Sequence, residues 1–237
     1  MIKSLYKPFQ KWSEHGSIWI FSDPHFNDED LNNAYEDRPS ADELVCRINS
    51  KVGKYDTLIC LGDVGDISYV RHLRGYKVLI TGNHDAGATT YERRIDVVRE
   101  HCENYTEEEM LRLVEKRFPN CDHHITMEFC PMSSVSRAWE IRIDNKLFDE
   151  VYDGPLFISP KLLLSHEPIY GMNFTMNIHG HIHDRAHEND NYHYNVCADC
   201  HNYLPLNLNQ FLKSGALSNI TSLHRLTIDN AIARSKN

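Results

Sequence analysis

The sequence predicts a layered α/β fold, and three observations carry that prediction. Short apolar stretches rich in β-branched residues recur at residues 18–22, 57–61, 77–81, 162–165 and 174–178. Each ends in polar or glycine-containing sequence, as a buried strand does where its C-terminal end spills into a loop. Helical pattern lies between several of them, and strand alternating with helix marks βαβ units and a layered architecture.

In chain order, "IWIFS" is the first strand. Ser40 then precedes "ADELVCRINSKV" as a good N-cap and puts Leu44, Val45 and Ile48 on one helix face. "TLICL" and "KVLIT" are the next strands. Residues 89–118 differ: they are dense in charge, and Leu111, Val114 and Phe118 fall at i, i+3 and i+7. That spacing predicts one or two amphipathic helices, hence a charged, mainly helical insertion at about 89–120 in a single domain over 1–237. Two readings of it stay open, a solvated excursion packed by one face and a cap over an active site. "WEIRIDNKLFDE" alternates apolar and polar residues around Asp144-Asn145, a hairpin signal. "KLLLS" and "FTMNI" follow, and "LHRLTID" is the expected last strand.

Bulk properties bound the function. With 237 residues, 41% of them apolar, the chain can bury a sizeable core. Lys and Arg number 25 against 34 Asp and Glu, a formal charge of −9 with no basic block. Stable binding to long nucleic acid, which draws most of its affinity from a basic face, is not expected. The N-terminal residues lack the apolar region of a secretory signal, and the longest apolar runs are too short to span a bilayer, so a cytoplasmic protein without membrane association is expected. Seven cysteines without framework spacing fit a reduced thiol pool. "CADCH", residues 197–201, matches a haem-attachment pattern, but such attachment takes place outside the cytoplasm and no haem is expected. Cys121, His123, His124 and Cys130 are candidate ligands of a further metal, although their spacing fits no usual zinc knuckle.

Chemistry gathers at the strand ends. Asp23-Pro24-His25 follows the first, Gly62-Asp63-Val64-Gly65-Asp66 the second, and Gly82-Asn83-His84-Asp85 the third. His166-Glu167-Pro168 and Gly180-His181-Ile182-His183 follow the later two. In α/β folds ligands converge at the C-terminal ends of strands. Asp23 and His25, two apart in extended chain, can address one ion from one loop; His181 and His183 share that parity without having to share an ion. Carboxylate, amide and imidazole donors without thiolate suit Mn²⁺, Fe or Zn²⁺. His179 reads as a strand residue facing a neighbour, and His187 as loop.

In this order the motifs D-x-H, G-D-x-x-D, G-N-H-D, a lone H and G-H-x-H resemble those of the calcineurin-like metallophosphoesterases, over residues 18–184. The tail "NVCADCHNYLP" is similar to a segment of a compact bacterial and phage branch of stand-alone phosphoesterases. The resemblance implies a four-layer αββα sandwich of two mixed β-sheets flanked by helices. It implies two divalent metal ions, Mn²⁺ first, with Fe, Zn²⁺ or Ni²⁺ as alternatives. Asp23, His25 and His183 would bind one, Asn83, His166 and His181 the other, and Asp63 would bridge them. Two ions about 3.5–4 Å apart would clamp a phosphoryl group while bound water, its pKa lowered toward ~7, attacks as hydroxide. His84 would protonate the leaving group, oriented by Asp66. Asn27-Asp28 stands where close relatives carry Gly-His, and the charged stretch after Asp85 is longer than in minimal members. The expected activity is hydrolysis of a small phosphomonoester or phosphodiester, including nucleotide-derived ones. Alternatives are a nuclease or protein phosphatase with the same site, or a non-catalytic scaffold of the same fold.

Overall fold

In this computed structural model the described residues are 7–14, 16–35, 37–100, 105–117, 122–129, 137–184 and 189–235. Among them the strands are β1 (Ile18–Phe21), β2 (Thr57–Cys60), β3 (Tyr76–Ile80), β4 (Ile95–Glu100), β5 (Asp122–Phe129), β6 (Arg137–Asp144), β7 (Glu150–Tyr152), β8 (Leu156–Ser159), β9 (Leu162–Leu164), β10 (Met176–His179), β11 (His193–Asn195) and β12 (Leu206–Asn207). The helices are α1 (Lys7–Trp12), α2 (Glu29–Ala34), α3 (Ala41–Asn49), α4 (Glu107–Arg117), α5 (Leu208–Lys213) and α6 (Leu223–Ser235). None is long and apolar enough to cross a membrane.

Alternation along the strands decides how the layers stack. One sheet has the order β12-β1-β2-β3-β7, parallel except for β12, which runs antiparallel to β1. A second has the order β11-β10-β9-β8, with β8 antiparallel to β9. Ile18, Ile20, Ile59, Leu61, Val78 and Ile80 project from the first sheet onto Leu162, Leu164, Met176 and Ile178 of the second, and together they form one buried cluster. Each such side chain contributes about 1.5–3 kcal/mol relative to exposure. On the outer face of the first sheet, Leu58, Cys60 and Leu79 meet Ala41, Leu44, Val45 and Ile48 of α3, and the Ser40 hydroxyl accepts from Glu43 N as the expected N-cap. The fold is therefore the predicted α/β sandwich of two mixed sheets. The second sheet's outer positions include Asn177, His179 and His193, and a loop satisfies two of them: Ile169 N donates to Asn177 Oδ1, and His193 Nε2 lies 3.1 Å from Ile169 O.

Three sequence expectations are corrected. The insertion carries the expected helix as α4 within 89–120 but also strand β4, and it continues past 120: β4, β6 and β5 form a separate antiparallel sheet in that order, with α4 beside it. Met110 and Val114 of α4 pack on Trp139, Ile141 and Ile143; the helical spacing was right for Val114, but the strands were hidden in dense charge. Phe118 lies outside the described residues. "WEIRIDNKLFDE" makes a turn but no hairpin, because both edges of β6 are taken by β4 and β5, and the chain after the turn passes to the first sheet as β7. "LHRLTID" is helical. Ser222 Oγ accepts from Arg225 N, Arg225 pairs with Asp229 at i, i+4, and Leu223 and Leu226 follow helical rather than alternating spacing.

Candidate metal centre

Strand ends deliver the donors. The loop after β1 carries Asp23 and His25, the one after β2 carries Asp63, and the one after β3 carries Asn83 and His84. From the second sheet come His166, after β9, and His181 and His183, after β10. The Asp85 carboxylate accepts from Gly82 N, Asp63 N and Val64 N at 2.8–3.0 Å, and so ties the β2 and β3 loops together. Gly62 turns at φ +95, and a Cβ on Gly180 would meet the Ser22 hydroxyl and the Asp23 carboxylate. Asp23, His25, Asp63, His181 and His183 all hold positive φ, between 39 and 71°. Strain of about 1–3 kcal/mol per residue persists only where surrounding structure over-determines it, typically at ligand clamps.

The donors form two groups. Ligand atoms of Asp23, His25 and His183 lie within 4.8 Å of one another, and so do those of Asp63, His166 and His181. Asn83 joins the second group, its Oδ1 2.8 Å from His166 Nε2. Asp63 Oδ2 stands between the groups, 3.6 Å from His25 Nε2 and 3.4 Å from His166 Nε2, while its Oδ1 accepts from His84 N. All seven sequence-predicted ligands are thus brought together.

Neighbours aim the donors from behind. His25 Nδ1 lies 3.0 Å from Asp28 Oδ2, His183 Nδ1 lies 2.7 Å from Asp199 Oδ2, and His166 Nδ1 lies 2.7 Å from Leu61 O. Each partner is an acceptor, so each ring donates from Nδ1 and keeps its Nε2 lone pair for the site. Asp23 Oδ2 accepts from His181 N and from the Cys197 thiol. Asp23 Oδ1 and His25 Nε2 are buried with no hydrogen-bond partner. Orphaned acceptors of this kind, and the convergence of His166 Nε2, Asn83 Oδ1 and Asp63 Oδ2, call for a cation. The residues therefore fit divalent metal.

Electrostatics agree. Burial lowers the His25 pKa and outweighs the neighbouring Asp23 and Asp63, leaving the neutral ring a metal requires. The Asp199 hydrogen bond raises the His183 pKa against burial. Burial opposes charge on Asp63, yet its contacts with His166 and the His84 N–H hold the carboxyl below its usual range. Burial likewise opposes a charged His166, but the hydrogen bond with Asp63 and the charge of Asp23 raise its pKa.

The expected dyad is not formed. Asp66 Oδ1 accepts from Ser68 N and caps the 3₁₀ turn Ile67–His72, while Oδ2 accepts from Asn27. A local backbone demand has taken the carboxylate assigned to His84. His84 is exposed, its ring edge-to-face with His25 at 5.7 Å. "CADCH" supports the site: Cys197 is buried on Asp23, and Cys200 Sγ donates to His183 O at 2.7 Å. His179 is buried in β10 with its Nδ1 2.9 Å from Gly180 O. Cys121, Cys130 and His187 lie outside the described residues, as do the side chains of His123 and His124.

Sequence reasoning missed the supporting shell. Arg38, its side chain fully buried, donates to Asp199 Oδ1 and to Pro24 O. Asp199 lay in a motif already singled out; Arg38 gave no local signal.

A family model described as calcineurin-like phosphoesterase matches residues 16–189. A crystal structure of a protein of unknown function from Aquifex aeolicus aligns with 83% of this chain and 98% of its own, at 19% identity and a TM-score of 0.47. None of the curated proteins compared with the chain matches it.

Proposed function

The chain belongs to the calcineurin-like phosphoesterases, and from that premise we propose that it hydrolyses a small phosphate monoester or diester with two divalent ions. Asp23, His25 and His183 would hold one ion and Asn83, His166 and His181 the other, with Asp63 between them. The orphaned Asp23 Oδ1 and His25 Nε2 are the observation that carries this reading. Oxygen and imidazole donors without thiolate suit Mn²⁺, Fe or Zn²⁺, and the family likeness puts Mn²⁺ first. When bound, such a pair stabilises phosphoryl charge and lowers the pKa of water.

The chain supplies orientation and a proton. Asp28, Asp199 and Leu61 O fix the ring planes of His25, His183 and His166 before substrate arrives. His84, at the mouth with no side-chain hydrogen bond among the described residues, is free to protonate the departing oxygen. Cysteines that stand as thiols at Cys46, Cys60 and Cys197 support a reducing compartment, the cytoplasm.

The test is metal analysis alongside kinetics on manganese-reconstituted protein. Asp63→Asn should lose ions from both groups and most turnover. His84→Asn should keep both ions while kcat falls about 10²- to 10⁴-fold, most for esters with poor leaving groups. Full metal content and activity in Asp63→Asn would refute the bridge, and metal loss in His84→Asn would refute the acid.

A further inference from the structure

A cleft of about 290 Å³ opens directly beside the second donor group. Asn83 and His166 form part of its wall, Pro155, Pro168 and Ile169 give it an apolar side, and Glu167 adds a carboxylate. Its size is at the bottom of the about 300–1,000 Å³ range of small-molecule clefts, room for one ring or a short chain. Gly154 widens it, since nothing lies within 4 Å of where a Cβ would stand.

The permanently charged side chain among the described lining residues is a carboxylate. No lysine or arginine is among the described residues that line it. Glu167 is exposed, and its backbone is anchored where its carbonyl accepts from Ser165 Oγ at 2.6 Å. Asp153 adds a second carboxylate nearby, its Oδ1 3.4 Å from Oγ1 of the wall residue Thr81. A cleft meant for a polyphosphate, or for an alcohol bearing a carboxylate, would present cations here.

We propose that this cleft receives the alcohol portion of the phosphate ester, and that Glu167 selects a positively charged amino-alcohol over an alcohol bearing a further anionic group. The inference rests on the phosphoesterase reading. In the hydrolysis a P–O bond forms to water, the ester P–O bond breaks, and the alcohol leaves with a proton. The phosphoryl charge falls to the donor groups, and the charge on the alcohol is left to meet Glu167 beside apolar walls that weaken solvent screening.

The experiment compares O-phosphoethanolamine, 3-phosphoglycerate and p-nitrophenyl phosphate on manganese-reconstituted protein. The parent should favour O-phosphoethanolamine over 3-phosphoglycerate by about tenfold or more in kcat/KM, given the cost of like-charge contact. Glu167→Gln should bring that ratio toward unity and Glu167→Lys should invert it, both with parental metal content. A parent that prefers 3-phosphoglycerate, or variants with an unchanged ratio, would overturn the assignment. If the parent hydrolyses neither p-nitrophenyl phosphate nor the diester bis(p-nitrophenyl) phosphate, the phosphoesterase reading fails on its own. Calorimetric titration of the two other esters into metal-loaded protein then decides the cleft separately. Tighter O-phosphoethanolamine binding that is lost in Glu167→Gln supports it, and equal binding of both esters overturns it.

Discussion

Asp199 illustrates how much of a metal centre lies behind its ligands. It accepts from His183 with one oxygen and from buried Arg38 with the other, so it fixes the ring and neutralises a cation in one position. Asp199→Asn should weaken metal binding by about 10–100-fold, the usual loss when such a partner is removed. Titration of chelator-treated protein would measure it, and parental affinity would sink the idea. Two of the ligand rings set a pH dependence. The pKa values of His166 and His183 are raised above the usual histidine value of 6.5, so below them metal must displace a proton. Apparent affinity should therefore fall as pH drops through those values, and less steeply in Asp199→Asn, where the His183 pKa is no longer raised by a carboxylate. Donors were legible at this scale because each follows its strand directly. Arg38 was not, since 161 positions separate it from Asp199, and Asp66 misled because a turn cap and a catalytic partner look alike in sequence.

Among the elements, β1, β2, β3, β9 and β10 were legible as apolar runs, whereas the short edge strands β7, β8, β11 and β12 and the excursion between β3 and β7 were not. Its sheet is made by pairing distant, charge-rich segments, and no local period announces that. The excursion leaves the body as two paired legs: Phe148 N donates to Tyr91 O and Arg93 N to Phe148 O. Arg93 fastens them by pairing with Asp144 and Asp149. Its hydrogen bond holds the Asp144 pKa below the ordinary aspartate value of 3.8 against burial. A depressed carboxyl contributes stability that is fully present above the unfolded value and is lost as pH falls through the folded one. Because the Arg93 side chain is 41% exposed, Arg93→Met should cost only about 0.5–1 kcal/mol near neutrality. That difference should vanish below the Asp144 pKa; urea unfolding across the acid range checks it, and a pH-independent difference would point to lost packing instead.

At the scale of the whole molecule, the strand-end logic was legible because parallel strands deliver their loops to one edge, while the hand-over after Asp144 depended on which strand edges were already occupied. Charge also acts at this scale. With a formal charge of −9 and no basic block, the protein should bind a ~30-bp DNA duplex more weakly than about 10⁻⁴ M at physiological salt. Fluorescence anisotropy in the presence of chelator would measure this, and a low-micromolar affinity would reopen the nuclease alternative.

Each donor group draws on both sheets: Asp23 and His25 need His183, and Asp63 needs His166 and His181. Translation therefore delivers the site in two instalments. As the chain leaves the ribosome, the segment through β3 and its loop carries acidic and imidazole groups that cannot encircle an ion until residues 166–183 have emerged and the second sheet has docked. Metal choice is thus deferred until both sheets have docked, when rigid loops discriminate between ions better than a nascent chain could.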